Sequence, residues 1–270
     1  MGKNSYRKME GTRINDVVII GSGNVAHHLA MALSKVVRIK QIFSRNKQNA
    51  AILADKIGET CVPIDNVNEL QNADAYIISI KDDAIAPFLQ SVPQNCRNAI
   101  WLHTSGSIGR DVFDGFNPRN GVFYPLQTFS KAVALNIKEV PFFIEGSNTE
   151  TEEMAMELAK RISDNVRHAD SELRGKLHVA AVFACNFANH MYTLADDLLK
   201  ENGLPFSVLA PLIKETARKI STTAPDKAQT GPAVRGDMGI IEKHLSMIHD
   251  KFKKELYKTI SMDILKRYNN

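Results

Sequence analysis

Residues 16–32 read DVVIIGSGNVAHHLAMA, and the order of residue types in that stretch decides the fold. Four apolar residues, Val17 to Ile20, run unbroken into Gly21-Ser22-Gly23. From Val25 to Leu33, small and apolar residues recur at helical spacing, interrupted by His27 and His28. The pattern predicts a buried strand, a tight turn and a helix. The glycines have separate tasks. Gly21 permits the turn off the strand, and Gly23, lacking a Cβ, lets a pyrophosphate approach the backbone. Ala26 stands where a third small residue lets the helix pack close to the strand. The helix start offers unpaired N–H groups and the positive end of its dipole to phosphates. Gly21, Ser22, Gly23, Asn24 and Val25 are therefore expected to bind a dinucleotide.

Downstream, strand and helix patterns alternate. Val36 to Phe43, Thr60 to Pro63, Ala75 to Ile80 and Ala99 to Leu102 read as strands. Helices are predicted from Asn46 and from Asp82. Such alternation implies right-handed crossovers and a parallel sheet, so the fold class is α/β with an N-terminal Rossmann, doubly wound sheet. Gly121 to Tyr124 and Pro141 to Ile144 are shorter strands. Thr149-x-x-Glu152 reads as a capping box, and Val166 to Ala169 as an edge strand. The domain boundary is placed near Ala169-Asp170, giving a nucleotide-binding domain over 1–169 and a helical domain over 170–270. Lys176 to Lys200 contains no Gly or Pro and is apolar on more than one face. A helix of that kind is buried, at the centre of a helical domain or in a subunit interface.

Composition narrows the class. The chain has 270 residues, 44% apolar and 24% charged, with net charge +4. That charge is spread as +1 up to Ala169 and +3 beyond it, without the basic bias of a nucleic-acid binder. The three cysteines, Cys61, Cys96 and Cys185, lack CxxC spacing and read as free thiols of a reducing, cytoplasmic setting. No apolar run approaches ~20 residues, so no membrane span is expected. MGKNSYRKMEGTR has no apolar core of a signal peptide. The eight histidines show no HExxH or equivalent spacing, so no metal is expected.

At the end of the second strand, NAD-specific sites carry an acid that binds the ribose 2′-hydroxyl. Here the position reads Ser44-Arg45-Asn46. A guanidinium would instead pair with a 2′-phosphate, so the expected cofactor is NADP. Ser79 and Lys81, at and just past the fourth strand, are placed beside the nicotinamide ribose.

Ligands of open parallel sheets lie beyond the carboxyl ends of the strands. His103-Thr104-Ser105-Gly106 follows the fifth strand; His103 could exchange a proton and Ser105 hold a substrate oxygen. A turn capped by its own hydroxyls is the plain alternative. Gln127, in Tyr124-Pro125-Leu126-Gln127-Thr128-Phe129, offers a neutral donor. On the long helix, Lys176, His178, Asn186 and Asn189 are polar groups that need partners. Arg235, between Gly231 and Gly236, could clamp an anionic substrate.

Together GSGNVAHHLA, IFSRN, HTSG, YPLQTF, AAVFACNFANH and QTGPAVRGD resemble a bacterial family of Rossmann-like proteins with a helical C-terminal domain, grouped as NADP oxidoreductases. The layout is similar, more distantly, to 6-phosphogluconate dehydrogenase, 3-hydroxyacid dehydrogenase and pyrroline-5-carboxylate reductase. The resemblance implies a 6-phosphogluconate-dehydrogenase-like helical domain, commonly dimerised through its helices. The hydroxyacid dehydrogenases place asparagine four residues after a helical lysine; here Lys176 is followed at that spacing by Ala180. The expected activity is hydride transfer between NADP and a small, anionic carbonyl, imine or hydroxy compound in a cleft between domains. His103 or His178 would handle the proton, with Ser105, Asn186 and Arg235 positioning substrate in a homodimer. A non-enzymatic nucleotide sensor using the same cleft is the competing reading.

Overall fold

A computed structural model of the chain describes residues 13–269. The opening stretch read above for a signal peptide lies, up to residue 12, outside the described residues. The chain divides into two compact units, Met1–Cys185 and Asn186–Asn270.

The first unit starts with β1 (Asp16–Ile20), α1 (Asn24–Leu33), β2 (Arg38–Phe43), α2 (Lys47–Ile57) and β3 (Val62–Ile64). It continues with β4 (Ala75–Ile78), α3 (Ile85–Ser91), β5 (Ile100–His103) and β6 (Asn120–Pro125). It closes with β7 (Phe142–Gly146), α4 (Thr149–Lys160), β8 (Val166–His168) and α5 (Ser171–Ala181). The eight strands form one sheet in the order β3-β2-β1-β4-β5-β6-β7-β8. Central β1 explains its own composition. Successive side chains of a strand face opposite sides, and here both sides are covered. Val17 and Ile19 pack with Leu29 and Leu33 of α1, and with α2 and α4 residues, on one face. Val18 and Ile20 pack with Tyr76, Trp101 and α3 residues on the other. Burying each of these aliphatic side chains contributes about 1.5–3 kcal/mol.

The sheet is not wholly parallel. β6 and β7 pair antiparallel, with Tyr124 opposite Phe143, because the segment joining them contains only a short 3-10 turn, Ile137–Glu139. Without a crossover helix the chain doubles back. α4 then restores a parallel β7–β8 pair. The cap of α4 also differs from expectation: Asn148, not Thr149, accepts the Thr151 N–H at 2.9 Å. Glu152 instead accepts the Gly146 N–H at 3.1 Å.

The long helix begins earlier than its apolar run suggests, since Asp170 caps α5 by accepting the Leu173 N–H at 2.8 Å. Residues Val182–Phe187 form a π-helical turn before α6 (Ala188–Lys200). The second unit adds α7 (Ala210–Ile220), α8 (Pro225–Ala228), α9 (Met238–Met247) and α10 (Lys251–Tyr268). The long helix is not a buried core element of this chain. No described residue of α6 is buried, and Val179 is 58% exposed. Among the described residues no helix is long and apolar enough to cross a membrane.

Candidate dinucleotide groove and active site

The turn after β1 has the geometry a diphosphate needs. Gly21 adopts φ +125°, and a Cβ there would lie 2.2 Å from the Ser79 carbonyl oxygen. β1 and β4 can therefore approach only through a glycine at this point. Gly23 is different: a Cβ there would meet nothing within 4 Å. Its openness leaves space for a ligand over the start of α1. Gly23 is also the N-cap of α1, and no side chain caps that end. The first N–H groups of α1 remain available to an anion.

Two cavities run from this turn along the carboxyl edge of the sheet. The larger, about 770 Å³, is lined by Gly21, Ser22, Ser44, Arg45, Asn46 and Lys81, among others. The smaller, about 260 Å³, is lined by Asn24, Val25, Ser105, Gly106, Asp82 and His178, among others. Gly23, Ser79 and Ile80 line both, so they form one groove divided at the glycine turn. All ten residues expected to hold cofactor line it. The Ser22 hydroxyl donates to the Ser44 hydroxyl at 2.9 Å, occupying the place where an acid would read a 2′-hydroxyl. Arg45 is exposed there, and Asn46 caps α2 by accepting the Asn49 N–H at 3.2 Å. The larger cavity is lined by two cations, Arg45 and Lys81, and one carboxylate, Asp65. A dinucleotide carrying an extra phosphate at its adenosine end fits this donor set.

At the other end, His178 is the group with proton chemistry. Its Nδ1 lies 3.0 Å from the Tyr124 hydroxyl. Tyr124 stands near the end of β6, buried, and burial pushes its hydroxyl up to about 12. The hydroxyl therefore stays protonated at working pH and can donate to Nδ1 when a neutral imidazole carries its proton on Nε2. Sequence reasoning passed over Tyr124 and treated its segment through Gln127. The available signal was position: a polar ring at the carboxyl end of a buried strand.

His103 does not play the expected part. It is fully buried, stacks on Phe113 at 5.7 Å, and its Nδ1 accepts the Ser105 N–H at 3.2 Å. Burial, helped by the nearby Arg174 charge, drives it down to about 3. It is a neutral ring inside the core, because the last residue of a central strand still points into the sheet's packing. Ser105 lines the smaller cavity, yet its hydroxyl oxygen accepts the N–H groups of Ser107 and Ile108 at 3.1 and 3.0 Å. The turn-capping alternative is what its oxygen does, leaving the O–H free to donate.

Two further candidates of the first unit, Gln127 and Lys176, do not line the groove. Gln127 is exposed and accepts the N–H of its neighbour Thr128 at 2.8 Å. Lys176 is exposed and pairs with Glu172 at 2.5 Å, one helical turn back. Asn186 and Asn189 are exposed residues of the second unit. Arg235, also there, lies 3.7 Å from Asp237 and is 64% exposed.

Residues 16–102 match the family described as NADP oxidoreductase coenzyme F420-dependent, and residues 140–264 match a domain of unknown function, DUF2520. No curated protein matches. A Bacteroides fragilis protein whose name assigns it to the NADP oxidoreductases is 45% identical, with TM-score 0.89, covering 94% of this chain and 98% of that one. A Thermotoga maritima protein shares the fold at TM-score 0.71 and 21% identity, covering 94% and 100%. So does an imine reductase from Myxococcus stipitatus in complex with NADP+, at TM-score 0.67 and 12% identity, covering 94% and 100%. With 45% identity over nearly the whole of both chains, this protein belongs to the same family of Rossmann-like NADP oxidoreductases as the Bacteroides fragilis protein.

Proposed function

We propose that the chain binds NADP(H) along the groove and reduces a small carbonyl or imine compound, or oxidises the corresponding product. The observation that carries this reading is the Tyr124–His178 pair, 3.0 Å apart, whose histidine lines the nicotinamide end of a groove built on Gly21 and Gly23. When bound, the cofactor supplies or accepts the hydride. The protein's part is to bind, orient and move a proton. Gly23 and the start of α1 hold the diphosphate, and Arg45 pairs with the 2′-phosphate. Ser79, bonded to Thr104 at 3.1 Å, and Asn24 fix the nicotinamide half. His178 Nε2–H would donate to the substrate heteroatom while the Tyr124 hydroxyl passes its proton to Nδ1, and the tyrosinate so formed would regain a proton through His178 from water in the open groove. Lys176, expected to recognise an anion, pairs with Glu172 on the surface, and Asp82 is the carboxylate that lines this end of the groove. The reading therefore drops the anionic requirement.

We infer further that the protein works as a homodimer through its helical unit. Leu204, Val208, Leu212 and Ile220 are 48–64% exposed there, an apolar surface of the kind that partners cover.

The test is a screen of aldehydes, ketones and imines, followed by NADPH absorbance, with binding of NADPH and NADH measured in parallel. Turnover that is lost in Tyr124→Phe and His178→Gln with NADPH binding retained supports the assignment. Tight NADPH binding without turnover on any member favours the sensor. Light scattering of wild type and Leu212→Asp tests the dimer; a monomeric wild type ends that part.

A further inference from the structure

Among the described residues, Arg174 is the only lysine, arginine, aspartate or glutamate that is fully buried. It sits four residues before His178 on α5, hence one turn along the same helix face. Its guanidinium joins three pieces of the first unit. Nη1 donates to Glu145 Oε2 of β7 at 2.6 Å. Nη2 donates to the Ile108 carbonyl at 2.6 Å, on the loop that carries Ser105 and Gly106, and to Ser171 Oγ at 3.1 Å. Ser171 donates to the same Glu145 oxygen at 2.8 Å and accepts the Arg110 N–H at 3.0 Å. Arg110 Nε stands 3.8 Å from the other Glu145 oxygen.

A buried ion pair is a poor choice where packing alone is needed, since well-packed apolar residues of similar volume often serve as well or better. What the planar fork adds is direction: fixed donors tie α5, β7 and the loop at set angles. The Tyr124–His178 contact depends on those same three pieces. Tyr124 is on β6, paired in register with β7, and His178 is on α5. Gly106, on the loop, is packed against both.

We propose that Arg174 is a positioning residue, clamping α5 to β7 and to the Gly106 loop so that His178 Nδ1 meets the Tyr124 hydroxyl. The proposal rests on reading Tyr124 and His178 as the proton-handling pair. The charged and titratable groups around that pair are Arg174, Glu145 and Arg110 from the clamp, buried His103, and Asp82 across the cavity. Arg174's charge also offsets part of the upward push of burial on the Tyr124 hydroxyl.

The experiment uses the full chain with two variants. Glu145→Gln/Arg174→Met removes both charges of the pair together, so no uncompensated carboxylate is left. Arg174→Lys keeps the charge but not the fork. The direct readout is the 15N signal of His178 Nδ1, assigned by its loss in His178→Gln. We expect that signal to move towards that of an unbonded imidazole in both variants. Single-turnover hydride transfer should fall about 100-fold in the double variant, the scale of a misplaced catalytic group. The NADPH Kd should stay within about twofold, since Arg174 does not line the groove. A folded double variant with wild-type His178 signal and rate overturns the clamp. If the double variant does not fold, Arg174→Lys decides, and an unchanged signal there overturns it. Should wild type turn over no substrate, the oxidoreductase reading fails, while the His178 signal still judges the clamp.

Discussion

Gly106 and His178 leave no room between them: a Cβ on Gly106 would stand 2.6 Å from His178 Nδ1 and 2.8 Å from Tyr124 Cζ. The loop after β5 is thus packed directly against the Tyr124–His178 pair. Gly106→Ala must push His178 away from Tyr124. The expected result is a kcat reduced about 100-fold, with a stability loss of about 1–3 kcal/mol from overpacking. Steady-state kinetics with urea unfolding measures both, and a wild-type kcat in a folded Gly106→Ala protein would show that the pair is not needed.

The two glycines of the first turn separate folding from binding. Gly21→Ala places a methyl on the Ser79 carbonyl at a backbone conformation that side chains rarely adopt. It should destabilise the first unit by more than about 2 kcal/mol. Gly23→Ala meets no protein atom within 4 Å and has φ −72°. Its stability should stay within about 0.5 kcal/mol of wild type, while NADPH affinity falls at least about tenfold as the methyl enters the diphosphate's space. Equal NADPH affinity in Gly23→Ala and wild type would remove the diphosphate from this turn.

Arg45→Ala probes the choice of cofactor. A charge-assisted bond to a 2′-phosphate is worth about 2 kcal/mol, or roughly 30-fold in Kd. NADPH should weaken by that factor and NADH hardly at all. Titration of intrinsic nicotinamide fluorescence reports both, and identical losses for the two cofactors would place Arg45 away from the phosphate.

His103 predicts a response to acid. The folded chain holds it at about 3, against an ordinary value of 6.5. Between those values the unfolded chain takes up a proton that the native state refuses. Stability therefore falls as pH drops below 6.5, by about 1.4 kcal/mol per unit from this group. In His103→Asn, whose amide oxygen can still accept the Ser105 N–H, the stability difference between pH 7 and pH 4.5 should shrink by about 2 kcal/mol. Chemical denaturation at the two pH values decides; equal pH dependence in both proteins would mean that His103 is not held neutral.

Local chemistry made much of the first unit readable. The run Val17 to Ile20 can only be a strand covered on both faces, and the glycines that follow it admit few other conformations. The NADP preference was legible for a related reason, since an acid missing from a defined position has one main electrostatic consequence. The antiparallel β7 was harder to read, because its direction depends on whether the segment after Tyr124 forms a crossover helix. The π-helical turn at Val182–Phe187 leaves almost no mark in a run of helix-compatible residues.

The sequence by itself determined the Rossmann core, the glycine turn after its first strand and the absence of an acid at the second strand's end, because each rests on residues adjacent in the chain. Which histidine meets the groove was decided only by the tertiary structure. His103 and His178 look alike as letters, but one is sealed beneath Phe113 while the other is held at the cavity wall by Tyr124, 54 residues away. Burial and long-range hydrogen bonding set a side chain's protonation and reach, and neither is written in its neighbours along the chain.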